Sequence, residues 1–211
     1  MSILIRGKTI SEVWERTVRW CYEKGQIVET EDGAKTKEIQ NAVMEISDPL
    51  LEPTIHPKYP LGKNAIQVYV DEVLKGTDAD FVYDYYSRIR KHMVGDTIVD
   101  QIAQSIDKLK SDIRSRRVAI HTWYVGRDVT EKNPPCLQYI QYLIRDNTLH
   151  CTVLFRSNDL FSAALGNAIA LSTLQKYVAD EVGVKMGTYV HHSVSMHIYE
   201  ADWSAALKIL D

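Results

Sequence analysis

Three kinds of side chain in this 211-residue chain stand where they could do chemistry: a cysteine behind two prolines, arginines at the ends of strand-like runs, and an amide inside an apolar helix pattern. Cys136 follows Pro134 and Pro135 and opens a strand pattern. Proline fixes φ and removes a donor, so the thiol is held in place. The thiolate is the nucleophilic form, and nearby cations favour it. Arg114, Arg116, Arg117 and Arg156 are the candidate cations. Cys136 reads either as that nucleophile or as a small buried apolar residue, the more frequent fate of cysteine.

Arg116 and Arg117 belong to SRR, just before a strand, and Arg156 and Ser157 lie where a strand passes into a long helix. Arginine makes forked bonds to phosphate, and serine and N–H groups at a helix N-terminus add donors. Arg156 with Ser157 is therefore a candidate phosphate seat, whereas Arg114 reads as solvated surface. Asn167 is a polar residue in the apolar run SAALGNAIALS. A buried amide needs partners, and one that both donates and accepts matches the N3–H and O4 edge of uracil as well as it matches backbone. The stretch YVHHSVSMHIY carries three histidines. A period of two puts His191, Ser193, Ser195, His197 and Tyr199 on one face. His191 and His197 would then lie roughly 20 Å apart, too far to share a metal. That face suits sugar hydroxyls or solvent.

The elements that must position these groups follow from periodicity. Residues 11–24 read as an amphipathic helix ended by Gly25, and 26–47 as a hairpin around EDGAK. Residues 48–64 hold four prolines and read as an irregular connection. A short helix is expected over 66–74, an aromatic and basic stretch over 83–90, and a helix over 96–112. Strands are expected at 117–125, 137–144, 148–155 and 189–199. Residues 158–181 form the clearest helix, apolar on nearly every side in its first half and therefore central. A last helix runs to Asp211. Without regular strand–helix alternation, the pattern predicts an α+β fold, a mixed sheet packed against the long buried helix, in one domain over 1–211.

Composition narrows the classes. The chain is 45% hydrophobic and 25% charged with a net charge of −3, which is ordinary globular balance. No general attraction to nucleic acid or an anionic membrane is expected. No run reaches the ~18 apolar residues of a membrane span, and MSILIRGKTI is too short an apolar stretch for a signal peptide. Three cysteines without a CxxC pair point away from a disulfide framework or a zinc site and toward a reducing cytoplasm.

Taken in order, SRR before a strand, PPC at 134–136, FRSNDLFSAALGN at 155–167 and MHIY at 196–199 resemble the thymidylate synthase family. The resemblance implies that Cys136 adds to C6 of a uracil nucleotide and makes C5 nucleophilic toward a one-carbon unit. It implies that Arg156 and Ser157 bind phosphate, with Arg156 also beside the thiolate. Arg116 and Arg117 would reach the phosphate of the other subunit's site, in a homodimer formed through the sheet. Asn167 would read the pyrimidine edge, His197 and Tyr199 the sugar hydroxyl. Asp159 would face the pterin, and Tyr86 would help remove the C5 proton. The co-substrate implied is methylene-tetrahydrofolate or a related reduced pterin, with no metal.

Departures from the family pattern accompany it. Its N-terminal arginine loop is Glu31-Asp32-Gly33 here, with Lys35 or Lys37 as substitutes. Its catalytic glutamate falls on Tyr69 when counted back from Gly76, with Asp71 and Glu72 nearby. The expected reaction is methylation of dUMP to dTMP. The alternatives are a pyrimidine nucleotide hydroxymethylase and a non-catalytic nucleotide-binding protein.

Overall fold

The computed structural model describes residues 2–77 and 84–210. Strand β1 (Ile3–Gly7) leads into helix α1 (Ile10–Lys24), capped by the Thr9 side chain, which accepts the Glu12 N–H. Strands β2 (Gln26–Glu29) and β3 (Lys35–Ile46) form the expected hairpin. Helix α2 (Lys63–Lys75) ends at Gly76, whose φ of 88° suits glycine. Helix α3 (Tyr85–Arg90) is followed by β4 (His92–Val94), β5 (Thr97–Val99), α4 (Gln101–Ser111) and β6 (Ala119–His121). The second half comprises β7 (Leu137–Arg145), β8 (Thr148–Asp159), α5 (Ala164–Val182), β9 (Lys185–Tyr199) and α6 (Trp203–Leu210).

One mixed sheet joins both ends of the sequence in the order β1-β3-β9-β8-β7-β6, with β2 also on β3. The β1–β3 and β8–β9 pairs are parallel and the other pairs antiparallel. α5 is buried against the sheet, where Gln175 Nε2 donates to the carbonyls of Leu149 and Gly187. This is the α+β class expected, with the long helix at the centre. Gly166 lets α2 approach α5, since a Cβ there would stand 3.3 Å from Ile66 Cδ1 and 3.7 Å from Tyr69 Cδ1.

Several expected boundaries shift. The helix expected over 96–112 begins only at Gln101. The preceding residues make the β4–β5 hairpin, and Asp100 caps the helix by accepting the N–H groups of Ile102 and Ala103. The strand expected at 117–125 is pared to Ala119–His121. β1 was hidden in residues too few to show a period. Tyr83, at the head of the aromatic stretch, lies outside the described residues. The long helix starts at Ala164 rather than at Asn158. Asp159 Oδ1 accepts the N–H groups of Phe161 and Ser162, which turns the chain between strand and helix. Ser157 is therefore a strand residue, and the helix N-terminus does not serve the phosphate seat proposed for it.

The sheet also changes its pleat. The buried residues are odd-numbered on β8 up to Phe155 and on β9 from Tyr189 to Ser193, and beyond that they are Asn158, Met196 and Ile198, with His197 buried from the opposite face. The cross-strand pair Asn41–Val194 is missing from an otherwise continuous β3–β9 register, Arg156–Val194 is missing from the β8–β9 register, which also shifts between Leu149 and Cys151, and Asn41 has φ 56°. β7 slips at Leu137/Tyr139 on the same transverse line. Interruptions of this kind re-aim side chains. The single polar face expected from His191 to Tyr199 is therefore divided: His191 and Ser193 belong to the core-facing set, and His197 and Tyr199 to the other.

A buried ion pair ties α3 to the loop after β6. Arg88 donates to Asp128 at 2.6 and 2.9 Å and to the Thr122 carbonyl at 3.0 Å. The Asp128 side chain is fully buried. Burial opposes its charge, but the Arg88 bonds and the Tyr124 N–H hold the carboxyl below its usual range.

Candidate active site

A cavity of about 430 Å³ opens between α2, α5 and the facing ends of β7 and β8. Its size falls in the range of small-molecule sites. Cys136, Asp159 and Asn167 all line it, brought together from the start of β7, the end of β8 and the second turn of α5. Leu61, Ile66 and Val73 supply apolar wall.

Arg156 stands beside the thiol. Its Nε donates to the Pro135 carbonyl at 3.0 Å and its Nη2 to the Pro134 carbonyl at 2.7 Å. The same Nη2 lies 3.7 Å from Cys136 Sγ. The two prolines thus do more than stiffen the chain, because their carbonyls aim the guanidinium at the sulfur. A cation this close favours negative charge on sulfur. The strands enforce the pairing too, since the Arg156 N–H donates to the Cys136 carbonyl at 2.9 Å. The other cysteines differ: burial pushes the Cys21 thiol up to about 12 and raises Cys151 further.

Asn167 is almost fully buried, and its Oδ1 accepts the Tyr69 hydroxyl at 2.5 Å. Glu72, one turn further along α2, lines the same cavity. Asp71 faces away and pairs with Lys75 at 3.0 Å on the surface. Of the two carboxylates near the counted position, only Glu72 reaches the cavity. The signal was available in the sequence: Ile66, Tyr69 and Val73 recur at the spacing of one helix face, which carries Glu72 beside them.

Tyr85, not Tyr86, lines the cavity, and its hydroxyl accepts the Leu137 N–H at 3.1 Å, one residue past Cys136. Tyr86 packs on Gly76, and Lys91 lies 5.3 Å from its ring centroid. One residue of helix turns the side chain about 100° away, a difference an aromatic pair such as Tyr85-Tyr86 conceals in sequence.

Asn158 also lines the cavity and was not foreseen. Its Oδ1 is 3.0 Å from His191 Nε2, and His191 Nδ1 is 3.0 Å from the Tyr189 hydroxyl. The imidazole is fully buried and stacks on Phe155 with a centroid distance of 4.5 Å. Burial lowers His191 to about 3, so it is a neutral link in this chain of bonds.

Other expected residues lie around the cavity rather than in its wall. Ser157 pairs with Ser195 across β8 and β9. His197 and Tyr199 meet ring to ring at 4.9 Å. Burial lowers His197, with Glu38 opposing. Burial raises Tyr199, and the charges of Asp159 and Cys136 add to the shift. In the cavity wall itself, burial raises Asp159, against the pull of the Ser162 and Phe161 N–H groups. Arg116 and Arg117 are exposed between α4 and β6 and do not line the cavity. Lys37 is committed to the Tyr22 carbonyl at 2.6 Å, while Lys35 is exposed. Among the described residues no group of three potential metal ligands occurs, and no helix is long and apolar enough to cross a membrane.

Comparison with known sequences places these motifs in a family. The profile described as "Thymidylate synthase" matches residues 60–211. A protein of Methanocaldococcus jannaschii named "Putative thymidylate synthase" is 39% identical over 202 residues, covering 93% of this chain and 90% of its own length. Proteins of the same name from Methanococcoides burtonii and Methanosarcina barkeri are 36% and 34% identical, each covering 98% of this chain and 94% of their own.

Proposed function

The chain belongs to the thymidylate synthase family, and on that footing we propose that it converts dUMP to dTMP with methylene-tetrahydrofolate or a related reduced pterin. The observation that carries this reading is the Cys136 thiol 3.7 Å from the Arg156 guanidinium, in the wall of a cavity that also presents Asn167. An apolar wall of Leu61, Ile66 and Val73 with the Asp159 carboxylate at its edge fits a flat ring bearing N–H donors. When bound, the reduced pterin supplies the one-carbon unit and the hydride that completes the methyl group.

The chain's own groups do the rest. Cys136 sulfur bonds to C6 of the uracil, and the C5=C6 electron pair moves toward O4, leaving C5 nucleophilic. Asn167 holds the N3–O4 edge where that charge collects. Glu72 is the cavity carboxylate for proton transfer at this edge, in place of the glutamate the family carries one turn earlier. The Tyr85 hydroxyl assists loss of the C5 proton, the role expected of Tyr86. The C6–S bond then breaks as C5=C6 re-forms and the thiolate is released.

Arg156 and Ser157 bind phosphate, joined by Arg116 and Arg117 of a second copy in a homodimer formed through the sheet. The exposure of these two arginines supports reach toward another subunit rather than their own cavity. Asp159 faces the pterin, and His197 with Tyr199 holds the sugar hydroxyl. Residues 1–211 act as one catalytic domain. Three cysteines with no disulfide between them support a cytoplasmic setting.

The test is release of tritium from C5-labelled dUMP, with dTMP as product. Cys136→Ser should abolish release while leaving dUMP binding within a few-fold. Undiminished release from the serine variant would refute the nucleophile. Release with hydroxymethyl-dUMP as product would replace methylation by hydroxymethylation.

A further inference from the structure

We propose that Tyr69 is the positioning residue that makes this site choose uracil over cytosine, by locking the amide of Asn167. The inference rests on the reading of Asn167 as the pyrimidine-edge residue. An asparagine amide is nearly symmetric in shape but not in chemistry, since Oδ1 only accepts and Nδ2 only donates. Uracil presents a donor at N3 and an acceptor at O4. Cytosine presents the reverse, an acceptor at N3 and an amino donor at C4. An amide free to turn over meets either edge with two good bonds and discriminates poorly.

Here the amide is not free. The Tyr69 hydroxyl donates to Asn167 Oδ1 at 2.5 Å. A phenol is a better donor than acceptor, because its oxygen lone pair is drawn into the ring. Turning the amide over would face Nδ2–H toward that oxygen and forfeit the O–H···O bond at a part-buried position. The locked amide keeps Nδ2–H for O4, and the second lone pair of Oδ1 accepts N3–H.

The tyrosine is itself fixed. It rises from α2 at the contact with α5, where its ring would meet a Cβ on Gly166 at 3.7 Å. Asn167 is the next residue on α5, so one helix contact sets both partners of the bond.

Tyr69→Phe removes the hydroxyl and keeps the ring that packs on Gly166, so its thermal midpoint should stay near that of the wild type. The measurement is calorimetric binding of dUMP and dCMP to each protein, with turnover of dUMP alongside. Wild type is expected to prefer dUMP by about 100-fold, the scale of one mismatched two-bond edge. Tyr69→Phe should bring the two affinities within about tenfold, mainly by tightening dCMP, while kcat on dUMP changes less than KM. Tyr69→Phe retaining the wild-type ratio, with wild type still selecting dUMP, overturns the lock and leaves the dUMP reading standing. Wild type binding neither nucleotide overturns both.

Discussion

Replacing Asp128 by asparagine should destabilise the protein strongly and disturb the thiol from a distance. The carboxylate is fully buried and receives two bonds from Arg88, at 2.6 and 2.9 Å, plus the Tyr124 N–H at 2.6 Å. Asparagine keeps the shape, removes the charge and turns one acceptor into a donor facing a guanidinium. Arg88, only 6% exposed, keeps its bond to the Thr122 carbonyl but loses the buried charge of Asp128. Breaking such a pair costs about 3–5 kcal/mol, and in a chain of this size that is a fall in Tm of roughly 6–20 °C. Denaturant unfolding and thermal scans measure it. Glu45→Gln, which breaks the exposed Arg6–Glu45 pair, is the control and should change stability by about 0.5 kcal/mol or less.

The pH dependence adds a second check on the same variant. Burial opposes the Asp128 charge but Arg88 prevails, so the folded carboxyl lies below its unfolded value. Its contribution is complete above the ordinary carboxylate range and is lost as pH falls through the lowered folded value. The gap between wild type and Asp128→Asn should therefore be flat from neutral pH downward and close only in acid. Because α3 carries Tyr85, whose hydroxyl accepts the N–H next to Cys136, the variant should also alter the rate at which Cys136 is alkylated. A loss under about 1 kcal/mol, or a gap that persists unchanged in acid, would refute the account.

Glu72→Gln should cut turnover by about 100-fold with dUMP affinity held within a few-fold, the signature of lost proton transfer, whereas Asp71→Asn should leave activity unchanged; steady-state kinetics with binding titrations decide it. His191→Phe should cost about 2–4 kcal/mol at pH 8 by stranding the Tyr189 hydroxyl and the Asn158 amide, and the loss should shrink by about 2 kcal/mol at pH 5, because the folded imidazole, lowered to about 3, stays neutral while the histidine of the unfolded wild type gains a proton below its ordinary value; urea unfolding at both pH values tests both statements. A thiol reagent should modify Cys136 alone in the native protein and all three cysteines in denaturant, since Cys21 and Cys151 are buried with raised thiols; a second fast native thiol would contradict the burial.

Cys136 and Arg156 were legible in sequence because one stands at the start of a strand pattern and the other near the end of the next, and adjacent antiparallel strands bring such positions together, although β8 runs on past Arg156 to Asp159. Asn167 was legible because one amide in an apolar helix demands a partner, although the partner, Tyr69, came from an element some 100 residues away. The polar face on 189–199 was misread because alternation assumes an unbroken pleat. The break lies opposite Asn41, whose φ is 56° on another strand, which no local pattern in β9 reports. The start of α5 was misread because strand and helix are both apolar there, and only the Asp159 side chain, bonding forward to two N–H groups, marks the turn.

The sheet order has a consequence for how the chain reaches this state. β3 pairs β9 from Thr36↔Tyr199 to Ile46↔Tyr189, partners separated by about 140–160 residues. A nascent chain leaving the ribosome must therefore hold its first three strands without their neighbour β9 while roughly 140 further residues are made. Such distant pairing slows folding and exposes an unpaired strand meanwhile. The nucleophile strand β7 can pair early with β8, yet His197 and Tyr199 arrive only with β9. Completion of the candidate site thereby follows synthesis of β9 rather than of β7 and β8 alone.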